Sequence, residues 1–113
     1  MTTVLLNQQA TVTLDGSGNG TASVGPIGAR ETWEPSLVHV SVATNTAEAQ
    51  CSTYAGDGVR PSTFLDTTPS GSTGDSSSHL GVKVVCGHKV WAVWTGGDPG
   101  SVATMLITGT KEI

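Results

Sequence analysis

The sequence predicts an all-β chain: an antiparallel β-sandwich of about eight short strands, jelly-roll-like in type. Three observations lead there. Apolar and polar residues alternate with the period of two that a half-buried strand requires, as in SLVHVSVAT from Ser36 to Thr44. Clusters of Gly, Ser, Asn, Asp and Pro separate such runs at intervals of about 8–12 residues. Helical periodicity is nearly absent: TNTAEAQC, Thr44 to Cys51, is the one short candidate and too short to support a helix.

The strands follow in order. In TVTL, Val12 and Leu14 point one way and Thr11 and Thr13 the other. DGSGNG (Asp15 to Gly20) supplies turn formers and TASV follows, which reads as a hairpin. In SLVHVSVAT, Val38, Val40 and Val42 share one face, with His39, Ser41 and Ala43 on the other. A one-residue slip would expose every valine, so its register is expected to be firm. QCSTYA sets Cys51 and Thr53 opposite Ser52 and Tyr54, and STFLD is a further short strand. TTPSGSTGDSSS, Thr67 to Ser78, is polar enough to predict a long exposed loop. LGVKVV then turns at CGH into KVWAVWT, a second expected hairpin. KVWAVWT is apolar on both faces: Val90, Ala92 and Trp94 on one, Trp91 and Val93 on the other. A strand of that kind is covered on both sides, here by a loop or another subunit. The last strand, SVATMLITGT, sets Val102 and Leu106 against Ala103, Met105 and Ile107.

Length and composition bound the function. At 113 residues the chain is read as a single domain, 1–113. Residues 1–8, ahead of the first clear hairpin, are expected to form an N-terminal arm. Charged residues make up 12% of the chain, about half the usual share. The net charge is −4, and the basic residues Arg30, Arg60, Lys83, Lys89 and Lys111 are scattered. Nucleic-acid binding needs a cationic stripe that replaces phosphate counterions, so it is not expected. No apolar run is long enough for a membrane-spanning helix. MTTVLLNQQA has neither a basic n-region nor a long apolar run, so no secretory signal is expected. Cys51 and Cys86 lack C-x-x-C spacing and are read as two buried thiols acting as small hydrophobes, with a bond between them open under oxidising conditions.

The motifs that suggest chemistry reduce to turns. GGDPG (Gly96 to Gly100) lacks the lysine and following helix of a phosphate loop, and Pro99 removes a donor. DGSGNG starts like a calcium loop, but the twelfth position, where a bidentate Glu belongs, is Pro26. His39, His79 and His88 have no zinc spacing beyond Cys86 and His88 flanking a turn. G-x-S-x-G is missing, and Glu31 and Glu34 share one segment beside Trp33 rather than forming a separated pair. No catalytic residue, metal ligand or cofactor site is singled out, and an enzyme is not expected. Among the aromatics, Trp94 is read as a core anchor and Trp33, in ETWEP, as a cap on the sandwich end. Trp33, Tyr54 or Trp91 in one exposed plane would instead make a sugar-stacking platform.

Four segments carry a resemblance spanning nearly the whole chain: VTLDGSGNGTASVGP (Val12 to Pro26), ETWEPSLVHVSVATNT (Glu31 to Thr46), the Cys51 to Asp66 strand pair, and VWAVWTGGDPGSVATMLITGT (Val90 to Thr110). Together they resemble small β-sandwich virion proteins of tailed bacteriophages that infect actinobacteria. The cysteines at 51 and 86 and His88 depart from the usual pattern of that family. The resemblance implies a non-enzymatic virion protein assembled in the host cytoplasm, most simply a capsid decoration protein on the head surface. Its partners would be copies of itself, commonly as a trimer, and the major capsid protein. A collar, tail-spike or minor tail protein, and a carbohydrate-binding module for host glycan, are the alternatives. Trp33, Trp91, Val93 and Met105 are the candidate partner-interface residues.

Overall fold

The computed structural model describes residues 2–43, 47, 49–68, 75–78 and 83–113. Among them nine strands form: β1 (Thr3–Thr13), β2 (Gly20–Val24), β3 (Thr32–Val42), β4 (Gln50–Gly56), β5 (Phe64–Thr68), β6 (Asp75–Ser78), β7 (Val84–Val85), β8 (Lys89–Thr95) and β9 (Val102–Glu112), with one 3-10 turn at Pro61–Thr63. Sheet A has the order β1-β9-β3-β6, with β7 also on β3; sheet B has the order β2-β8-β4-β5. Every pairing is antiparallel. The pairs are nested: β1 with β9, β2 with β8, β3 with β6 and β7, β4 with β5. That is a jelly roll, one long folded-over hairpin wrapped into two sheets.

The alternation read from the sequence is what builds the core. From β3, Val38, Val40 and Val42 point between the sheets and oppose Ile107, Met105 and Ala103 of β9. From sheet B, Cys51 and Thr53 of β4 and Val90, Ala92 and Trp94 of β8 close over them. Leu6, Leu14, Ala22, Trp33, Ala49 and Val84 complete the interior. Trp94 is fully buried, and its indole Nε1 has no hydrogen-bond partner among the described residues. The side chain is therefore held by packing alone.

Several sequence expectations are corrected here. Residues 3–8 are not an arm: they are the first half of β1, paired with β9 from Thr3↔Glu112 onward, and Leu6 is buried. The two expected hairpins are not hairpins either. β1 and β2 lie in different sheets, as do β7 and β8, so DGSGNG and CGH are corners that carry the chain across the sandwich. The expected loop from 67 to 78 gives way to strand at both ends, because β5 continues to Thr68 and Asp75–Ser78 pairs with β3. Residues 69–74 of that stretch, His79, and residues 44–46 and 48 of the 44–51 helix candidate lie outside the described residues, while Gln50 and Cys51 start β4. Of the two thiols only Cys51 is buried; Cys86 is exposed at the corner before β8, and both are free.

The corner that joins β8 to β9 packs on the one that joins β1 to β2. The Gly97 amide donates to the Gly18 carbonyl at 3.0 Å, and the Gly100 amide to the Leu14 carbonyl at 2.9 Å. Gly18 has φ +78°, and a Cβ there would overlap the Gly97 carbonyl. The close crossing requires glycine for both conformation and space.

Candidate functional site

The GGDPG corner is accounted for by its own bonds. Besides Gly97 and Gly100, the Gly96 amide donates to Asn19 Oδ1 at 3.2 Å and the Ser101 amide to the Asp98 carbonyl at 3.1 Å. Asp98 Oδ1 accepts the Ala47 amide at 3.1 Å. The donors that would hold a phosphate are spent inside the fold. DGSGNG is similar: Asp15 Oδ1 accepts the amides of Ser17 and Asn19 at 2.9 and 3.0 Å. Those two amides hold the Asp15 carboxyl below its usual pKa. Among the described residues no group of three or more His, Cys, Asp or Glu side chains converges as metal ligands would. Glu31 and Glu34 also have separate roles. Glu31 accepts the Trp33 indole N–H at 2.5 Å and lies 3.6 Å from Lys111 Nζ, while Glu34 lies 3.4 Å from Lys83 Nζ.

The four candidate interface residues separate into two pairs. Trp33 is only 2% exposed and Met105 not at all. Both belong to the core of the chain and are corrected as surface residues. Glu31 satisfies the indole of Trp33, so a tryptophan between two carboxylates can sit inside. Met105 shares the inward face of β9 with Ala103 and Ile107. Trp91 and Val93 remain at the surface, half-buried on the outer face of β8.

That outer face is the candidate site. β8 is an inner strand of sheet B, flanked by β2 and β4. Trp91 stands opposite Ser23 on β2 and Tyr54 on β4; Val93 stands opposite Thr21 and Ser52. Tyr54 in turn opposes Phe64 on β5, after a register shift between Thr53 and Tyr54. The result is a row of aromatics, Trp91, Tyr54 and Phe64, across three adjacent strands. Tyr54 and Phe64 meet edge to face with centroids 5.7 Å apart. Trp91 Nε1 donates to the Gly56 carbonyl at 3.2 Å, which pins the ring, and Lys89 Nζ lies 5.8 Å from the ring centroid.

Past Phe64 the row ends at an open cavity of about 500 Å³ lined by Tyr54, Val59, Arg60, Pro61 and Phe64. The loop that walls it is tied by Thr63, whose Oγ1 donates to the Gly58 carbonyl at 2.7 Å. Arg60 pairs with Asp57 at its rim, with both side chains half exposed, so the pair adds little stability. The chemistry this face offers is apolar contact and ring stacking, with the Tyr54 phenol as the hydroxyl of the three rings. Sequence reading found Trp91, Val93 and Tyr54 through strand parity. It missed Phe64 and the Val59–Pro61 wall, which only the β4–β5 pairing brings beside Tyr54. No known protein-family model matches the chain, and no curated protein matches it.

Proposed function

We propose that the protein is a non-enzymatic structural component of a tailed-phage particle that docks on the head surface through the outer face of sheet B. The observation that carries this reading is the half-buried apolar strip formed by Trp91 and Val93 on the outer face at the middle of that sheet. The solvent face of an antiparallel sheet is normally polar, and an apolar central strand there favours being covered. Removing such surface from water contributes about 25 cal/mol per Å². Ordering costs offset part of it, and repetition on a symmetric shell multiplies weak contacts. The four sequence segments that resemble phage virion proteins, and a jelly-roll strand order that recurs in viral shell proteins, support the same reading. The major capsid protein is the partner it implies.

The test is immunogold electron microscopy with antibody to this chain on the particle that encodes it. Regular labelling of the head is expected. Labelling of collar or tail alone would move the site of docking, and particles without label would overturn the reading.

A second reading is favoured by the aromatic row and its adjoining cavity. Tyr54 and Phe64 beside the Arg60–Asp57 pair offer a stacking face and hydrogen-bonding groups to a saccharide. Binding on a glycan array that is lost with Tyr54→Ala would support it. Binding that survives that change, or no binding to any glycan, would remove it.

A further inference from the structure

One edge of sheet A differs from the other edges of the sandwich. Its terminal strand β1 spans 11 residues. The terminal strands β2, β5 and β6 span 5, 5 and 4. β1 runs along β9 from Thr3↔Glu112 to Thr13↔Val102 without a bulge. Its sequence, TVLLNQQATVT, holds no charge and no proline. Those are the devices that usually keep an exposed edge from pairing.

The register fixes which groups look outward. Thr2 and Ile113 exchange both main-chain bonds, at 3.3 and 3.0 Å, and at the other end the Leu14 amide donates to the Ser101 carbonyl at 2.8 Å. The even-numbered residues of β1 therefore bond β9. In an antiparallel ladder the alternate residues turn their N–H and C=O the other way. Those residues are Thr3, Leu5, Asn7, Gln9, Thr11 and Thr13, all exposed, with Leu5 at 85%. Among the described residues no strand pairs with this edge.

We propose that β1 pairs antiparallel with β1 of a second copy of this chain about a twofold axis, so that two A sheets become one. The strand is complementary to itself. With the axis beside Gln8, Thr3 faces the partner's Thr13, Leu5 the partner's Thr11, and Asn7 the partner's Gln9. No like charges meet, every outward amide and carbonyl gains a partner, and Leu5 leaves water. Gln8 also lines a cavity of about 290 Å³ with Ile27 and Trp33. Ile27 on that cavity is 94% exposed. This is strand addition in its isologous form, which closes at two copies.

Light scattering on the purified chain at micromolar concentration is expected to give twice the chain mass. Amide hydrogen exchange is expected to show Leu5, Asn7, Gln9 and Thr11 protected along with their even-numbered neighbours. Asn7→Pro deletes only an outward-facing amide, and Asn7→Lys with Gln9→Lys sets like charges across the axis. Each is expected to give a monomer that keeps the near-ultraviolet signal of its tryptophans, with the odd-numbered amides exchanging at least tenfold faster. Thr21→Lys, on the exposed side of β2, is the charge control and stays dimeric. A monomeric or trimeric wild-type chain would overturn the proposal, as would a dimer whose odd-numbered β1 amides exchange freely.

Discussion

Sheet A and sheet B bury equivalent inner faces, yet they meet the outside differently. Sheet A is built on three 11-residue strands and leaves a long uncharged edge. The outward residues of β1 are mostly polar, with Leu5 the exception. Sheet B has short edges but carries Trp91, Val93, Tyr54 and Phe64 on its outer face. One sheet offers main chain and the other offers side chains. Within β8 the contrast is sharper still: Trp94 and Trp91 are three residues apart on one strand, one wholly inside and one half outside. Parity alone separates a residue that holds the fold from one free to hold a partner.

The largest effect expected from breaking this contrast is in the shared core. Trp94→Ala should cost about 3–5 kcal/mol in denaturant unfolding, the range for truncating a buried large aromatic. A loss under about 1 kcal/mol would place Trp94 outside the core. Next is the glycine crossing that lets the chain pass between sheets. Gly18→Ala should cost about 2–3 kcal/mol from left-handed strain and overlap with the Gly97 carbonyl. A neutral result would mean the two corners do not touch. Trp91→Ser should cost only about 1 kcal/mol by the same unfolding assay, because the ring is half outside. A cost equal to that of Trp94→Ala would erase the distinction between the two faces.

The smaller effects are chemical. Burial pushes the Cys51 thiol up to about 12. In the native chain only the exposed Cys86 should react with a thiol reagent, and both should react in denaturant. Two fast thiols in the native state would contradict the packing of the inner face of β4 against sheet A. Because the folded pKa of Cys51 lies above that of an unfolded thiol, its contribution to stability is complete below about pH 9. That contribution is lost as pH rises toward 12. Asp15 has the opposite sign: its folded pKa is lowered, so its contribution is lost as pH falls through the folded value. Asp15→Asn should flatten the acid limb of a stability–pH profile slightly, and an unchanged limb would show that the carboxylate does not matter to the turn.

The sequence made the faces legible and the pairing only partly so. The valines of SLVHVSVAT and the two faces of KVWAVWT needed nothing beyond a period of two. The same period cannot say which sheet a strand joins, because both sheets bury into one core. Nor do turn residues distinguish a hairpin from a corner: Gly and Asn supply the same backbone freedom to both, so DGSGNG and CGH read as hairpins. SVATMLITGT is apolar on both faces, so only its register on β3 sends Met105 inward. Trp33 reads as a cap and interface residue between two acids, yet it is buried and one of those acids is its hydrogen-bond acceptor. Of the candidate site, Trp91 and Val93 were legible from strand parity. Phe64 and the cavity wall depend on a β4–β5 register that alternation does not encode. Residues 1–8 read as an arm because the pairing of β1 with β9 joins opposite ends of the chain.

The most direct test of the docking account is co-sedimentation of the purified chain with particles stripped of it, comparing wild type with Trp91→Ser. Saturable binding of the wild-type chain, weakened at least tenfold by Trp91→Ser with the fold intact, is the predicted result. A folded wild-type chain that stays in the supernatant, or a variant that binds equally well, would contradict docking through the outer face of sheet B.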